Sequence, residues 1–135
     1  MPDDLALPPV RALALAQQLL DDGRPFQAHE VLEATWKSAP PAERDLWQGL
    51  AQVAVGLTHA QRGNARGAAA LLRRGAGRVS GYLPAGQAGA GPHEIDVRGV
   101  TRAADALATR IEQDGASAVT ADDLRLRLRA VADAE

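Results

Sequence analysis

LWQGLAQVAVGLTHA, from Leu46 to Ala60, carries no fixed charge across fifteen consecutive positions, yet it contains Gln48, Gln52 and His59. At about 100° per residue these three polar side chains fall within roughly 40° of one another on a helical wheel. The remaining faces hold Leu46, Trp47, Leu50, Ala51, Val53, Ala54 and Leu57. A helix that is apolar nearly all round is a buried helix. Its polar stripe must then find partners inside the protein or in a pocket. The segment predicts a central helix from about 42 to 62, with Leu50, Val53 and Leu57 in the core.

Working outward, punctuation residues divide the chain into helix hairpins. Pro8 and Pro9 open a helix that runs to Asp22, with Gly23 as its stop. Pro25 opens a second helix that runs to about Ser38. KSAPPAE, from Lys37 to Glu43, is a break because paired prolines cannot continue a helix. Gly63 ends the central helix and Asn64 can cap the next, which runs from about 65 to 82. PAGQAGAGP, from Pro84 to Pro92, reads as a loop by composition. A fifth helix follows from about Asp96 or Gly99 to Gln113. Thr120-Ala121-Asp122-Asp123 resembles a helix start with an acidic first turn. LRLRL, from Leu124 to Leu128, alternates as a strand would, but no second strand is visible to pair with it, so a helix is expected over 120–132. The expected fold is all-α: a compact multihelical single domain over 1–135, of five to six helices in antiparallel hairpins. Its core lies at about 9–114, with 116–135 appended.

Bulk properties exclude several functions. The chain has 135 residues and a net charge of −2, which gives no global electrostatic case for nucleic acid or an anionic membrane. Arg62, Arg66, Arg73, Arg74 and Arg78 cluster, and read as the solvated face of one helix. With no cysteine, disulfides and zinc–thiolate sites are excluded. MPDDLALPPV lacks the basic flank and apolar run of a signal peptide, and no apolar run reaches the roughly 18 residues of a membrane span. A cytoplasmic protein is expected. The alanine-rich apolar faces suggest a homodimer, with no nucleic acid or membrane partner.

Chemistry concentrates on the second and third helices. Phe26, His29, Leu32, Glu33 and Trp36 share one face, and His29 and Glu33 are i, i+4 neighbours. With Trp36 taken as lying beside Arg44, His29 to Glu33 should sit level with Gln48 to Gln52. His59 should then lie about 10 Å further along, at 1.5 Å per residue. His29 and Glu33 are two candidate metal ligands, but an ordinary zinc site needs a third, and His59 is the obvious one. HExxE also differs from the metalloprotease HExxH. No cofactor is assigned, and a divalent metal remains one option. A second is a buried hydrogen-bond network in which Glu33 accepts from Gln48, Gln52 or an indole, bridged by His29. The third is acid/base catalysis by His29 and Glu33.

HEVLEATW, His29 to Trp36, followed by GLAQVAVGLTHAQRGNARGA, Gly49 to Ala68, resembles the bacterial and archaeal domain-of-unknown-function family 309. The matching positions are His29, Glu30, Glu33, Trp36, Gln48, Gln52, His59, Arg62, Gly63, Asn64, Gly67 and Ala68. The resemblance extends over roughly 10–112 and implies an all-helical domain without bringing an activity. The leading functional expectation is a His/Glu/Gln polar pocket that binds a ligand or partner. Its members are His29, Glu30, Glu33, Trp36, Gln48, Gln52, His59, Arg62 and Asn64. The alternatives are a metal-dependent or acid/base enzyme using His29 and Glu33, and a helical-hairpin interaction scaffold whose polar network is structural.

Overall fold

The computed structural model describes residues 7–83 and 90–130. The first hairpin is set by Pro9, Gly23 and Pro25. Helix α1 (Pro9–Asp21) closes where the Arg24 N–H reaches Leu19 O at 2.8 Å, with Gly23 at φ +76 supplying the left-handed step. Helix α2 (Pro25–Ser38) begins at the next residue but one. After a 3-10 turn at Pro41–Glu43, α3 (Arg44–Gln61) runs back along α2. Gly63 at φ +84 repeats the reversal, and Asn64 accepts from the Gly67 N–H at 3.0 Å to start α4 (Ala65–Ser80). Helix α5 (Val97–Asp114) is capped by Asp96, which accepts from the Gly99 N–H at 3.0 Å. The short α6 (Ala121–Leu124) is opened by a capping box between Thr120 and Asp123. The expected loop over 84–92 lies mostly outside the described residues.

Each helix from α1 to α5 packs on the next, and α3 lies between α2 and α4. As expected, α3 is the core helix: Leu46, Trp47, Leu50, Val53 and Leu57 are all buried. Among the described residues no helix is long and apolar enough to cross a membrane.

Arg62, Arg66, Arg73 and Arg74 of the arginine cluster are exposed as expected, and two arginines also tie helices together. Arg73 fixes α4 to α5 through Glu112 Oε1 at 2.7 Å and Thr109 Oγ1 at 2.9 Å. Arg78 fixes α4 to α3 through Asp45 Oδ1 at 2.6 Å and Gln52 Oε1 at 3.1 Å.

The C-terminal segment corrects the expectation of a helix over 120–132. Helix α6 stops at Leu124, and the chain beyond it is extended, so the alternation of LRLRL is real: Leu124, Leu126 and Leu128 are buried, while Arg125 and Arg127 are exposed. The missing partner strand is a single antiparallel bridge from Arg129 to Ile95, with Asp96 N–H donating to Leu128 O and Ala130 N–H to Glu94 O, both at 2.9 Å. A side chain then continues that ladder. The Gln17 amide on α1 donates to Leu126 O at 3.0 Å and accepts from Leu128 N–H at 2.8 Å, as a neighbouring peptide group would. Two backbone groups that would otherwise be stranded are thereby satisfied.

Candidate functional site

Helix α2 presents His29 and Glu33 one turn apart on a half-buried edge. His29 Nε2 lies 3.1 Å from Glu33 Oε1, and Lys37 Nζ lies 3.8 Å from Glu33 Oε2. His29 Nδ1 is buried without a partner. With Nε2 as the donor to Glu33, the atom left without a partner is an acceptor. Phe26 stands 45% exposed next to this pair, its ring 5.5 Å from the His29 ring, with the Arg62 guanidinium 5.5 Å above it.

The Arg62–Phe26 contact also fixes the register between α2 and α3. Gln61 Nε2 donates to Gly23 O at 2.8 Å at the same end. One helical turn on from Phe26 is His29, and one turn back from Arg62 is His59. These contacts shift His59 toward the level of His29, nearer than the assumed Trp36–Arg44 pairing implied. Even so, among the described residues no three His, Cys, Asp or Glu side chains converge on one point. His29 and Glu33 supply two ligands for a metal and no third.

The other candidate residues divide by neighbour. Gln52 is held by Arg78 of α4, and no hydrogen bond joins Glu33 to Gln48 or Gln52 among the described residues. The network expected there does not form: Gln52 turns to Arg78 of α4 and His59 to Asn64. His59 Nδ1 lies 3.1 Å from the Asn64 amide nitrogen and accepts from it, so these two residues brace the α3–α4 turn. Trp36 is half-buried against the core, Gln48 is half-buried, and Glu30 is exposed.

A second polar cluster went unread in the sequence. Glu43 Oε1 accepts from Trp47 Nε1 at 3.1 Å and from His93 Nε2 at 2.9 Å, and the Trp47 and His93 rings lie 5.8 Å apart. His93 comes fifty residues after Glu43, so no local spacing could signal the pair. The connector bearing it is strained: His93 (φ 56, ψ 25) and Glu94 (φ 64) are both left-handed, at about 1–2 kcal/mol each for residues with a Cβ. The His93–Glu43 and Arg129–Glu94 contacts hold it there.

Burial works to raise the Glu43 pKa, but the His93 and Trp47 hydrogen bonds and the charge of His93 together bring it below its ordinary value of 4.5. A carboxyl with a lowered folded-state pKa contributes stability that is fully present above the unfolded value. That contribution is lost as pH falls through the folded one. Wild type should therefore lose stability across this acidic window, and Glu43→Gln should flatten that part of the curve. Urea melts at a series of pH values measure both.

Residues 13–71 match the family model described as Domain of unknown function (DUF309). That span contains both motifs that carried the resemblance, from His29 to Trp36 and from Gly49 to Ala68, and ends inside α4, short of residue 112. Over 48 residues the chain is 46% identical to the "Uncharacterized protein YpuF" of Bacillus subtilis (strain 168), covering 35% of this chain and 28% of that protein. The aligned stretch is thus little more than a quarter of the relative's length. No solved structure matches the chain. Neither match names an activity, and Glu43 lies within the span of the family model while His93 lies outside it.

Proposed function

We propose that the chain is a binding domain whose recognition face is the α2 edge formed by Phe26, His29 and Glu33, together with Arg62 of α3. The observation that carries this reading is Phe26. It is the sole phenylalanine of the chain, and it lies between Arg62 and His29 at the surface instead of in the core. A rigid aromatic ring beside an arginine is the composition that anchors recognition surfaces. His29 and Glu33 add a directional polar group next to it. A cytoplasmic homodimer is the setting we propose, with the same aromatic edge available to a second subunit.

The test is an NMR titration of the full chain with a set of small carboxylates, amines and aromatic fragments. Perturbations should centre on Phe26, His29, Glu33 and Arg62. Phe26→Ala should abolish them with little change in stability, because the ring is half-exposed already. Shifts that survive Phe26→Ala, or that centre elsewhere, overturn the reading. Stoichiometric zinc, nickel or iron in wild type, lost in both Glu33→Gln and His29→Ala, would replace it with the metal-enzyme alternative.

A further inference from the structure

On the far side of the α2–α3 hairpin, an open groove of about 400 Å³ lies between the start of α1 and the proline turn. Its apolar walls include Pro8, Pro9, Ala39 and Pro40, and its polar lining consists of Thr35, Ser38 and Glu43. Among the described residues no basic side chain lines it. The hydrogen-bonding capacity left in this lining is of one kind. The Thr35 hydroxyl donates to Val31 O at 3.1 Å and the Ser38 hydroxyl to Ala34 O at 3.1 Å, so each has only lone pairs left to offer. The two N–H groups nearest the carboxylate, Trp47 Nε1 and His93 Nε2, are both spent on Glu43 Oε1. Glu43 Oε2 has no donor among the described residues, and the side chain is 24% exposed. The site therefore presents acceptors, one of them charged, beside an apolar wall.

We propose that this groove binds a small organic cation, a primary alkylammonium, with its head on Glu43 Oε2 and its apolar body along Pro8, Pro9, Ala39 and Pro40. A primary ammonium fits because it carries three donors and no acceptor, matching Glu43 Oε2 and the Thr35 and Ser38 oxygens. An anion would meet only acceptors. A neutral alcohol would forfeit the charge on Glu43. The strained connector gains a role in this arrangement: His93 and Trp47 fix Glu43 Oε1, so that Oε2 is held in place before the ligand arrives.

The experiment titrates the full chain with n-butylammonium and, separately, with n-butanol, following the Trp47 indole N–H by NMR. The ammonium should shift that signal saturably and bind about tenfold or more tightly than the alcohol, as expected for a charge-assisted bond. Glu43→Gln should erase the preference for the ammonium. Thr35→Val, which keeps the shape but removes one acceptor, should weaken ammonium binding while leaving the native indole signal in place. Equal binding of the two probes, an unchanged preference in Glu43→Gln, or no saturable shift with either probe would overturn the proposal. This groove and the α2 edge share none of the residues assigned to them, so the two readings fail independently.

Discussion

Gly75→Ala destabilises the protein by about 2–3 kcal/mol, whereas Gly77→Ala, two residues along the same helix, stabilises it by about 0.5–1 kcal/mol. By propensity alone, alanine should improve α4 at both positions, since glycine in a helix interior costs up to about 1 kcal/mol. Packing reverses the sign at one of them. A Cβ on Gly75 would stand 2.6 Å from Gly49 O, 2.7 Å from Val53 Cγ2 and 2.9 Å from Val53 N. Two of those three atoms are backbone of α3 and have no rotamer by which to yield. The contact is reciprocal, because a Cβ on Gly49 would meet Gly75 O at 2.9 Å and Val79 Cγ2 at 2.8 Å. At Gly77 nothing lies within 4 Å, and no left-handed φ is required, so the substitution gains helix propensity without a clash. Urea melts of the two variants decide the matter. If both substitutions stabilise, α3 and α4 do not approach as closely as described.

That close approach also explains which parts of the fold were legible. Hairpins could be read because their signals are local: Gly23 and Pro25 in one turn, Gly63 and Asn64 in the other, Pro40 and Pro41 between α2 and α3. Gly67, Gly75, Gly77 and Gly81 all fall in or at the end of α4, but nothing local separates Gly75, which touches α3, from Gly77, which touches nothing. The polar stripe of α3 was visible too. Which neighbour it addressed was not, because α3 lies between two helices and either could have received Gln52. The answer depended on Arg78, twenty-six residues further on. Register failed for a similar reason. It was set by assuming Trp36 beside Arg44, whereas the Arg62–Phe26 stack and the Gln61–Gly23 bond set it from the other end of the hairpin. The extended C-terminal segment showed its period of two in Leu124, Leu126 and Leu128. Its partner was hidden because it consists of one residue, Ile95, and one side-chain amide, Gln17. Glu43 and His93 meet only through tertiary packing, which no spacing rule encodes.

Trp47 is where the core and that cluster meet, and Trp47→Ala should cost about 3–5 kcal/mol, the largest loss expected of a single truncation here. The indole is fully buried, so its removal leaves a cavity bordered by the proline turn and the α4–α5 connector. It also takes one of two donors from Glu43 and the ring that packs against His93. Trp47→Phe separates these effects. Phenylalanine keeps most of the buried area and loses the N–H, so the cost at neutral pH should fall to about 1–2 kcal/mol. Its mark should appear in acid. With one donor fewer, the Glu43 carboxyl in the folded state moves back up toward its ordinary value, because the hydrogen bond from Trp47 is one of the causes that lower it. The gap between folded and unfolded values narrows, less stability hangs on the ionised carboxylate, and less is lost on acidification. Trp47→Phe should therefore lie furthest below wild type at neutral pH and approach it as the pH drops. Parallel stability curves for the two proteins from neutral to acidic pH would show that the indole fills space without holding the carboxylate.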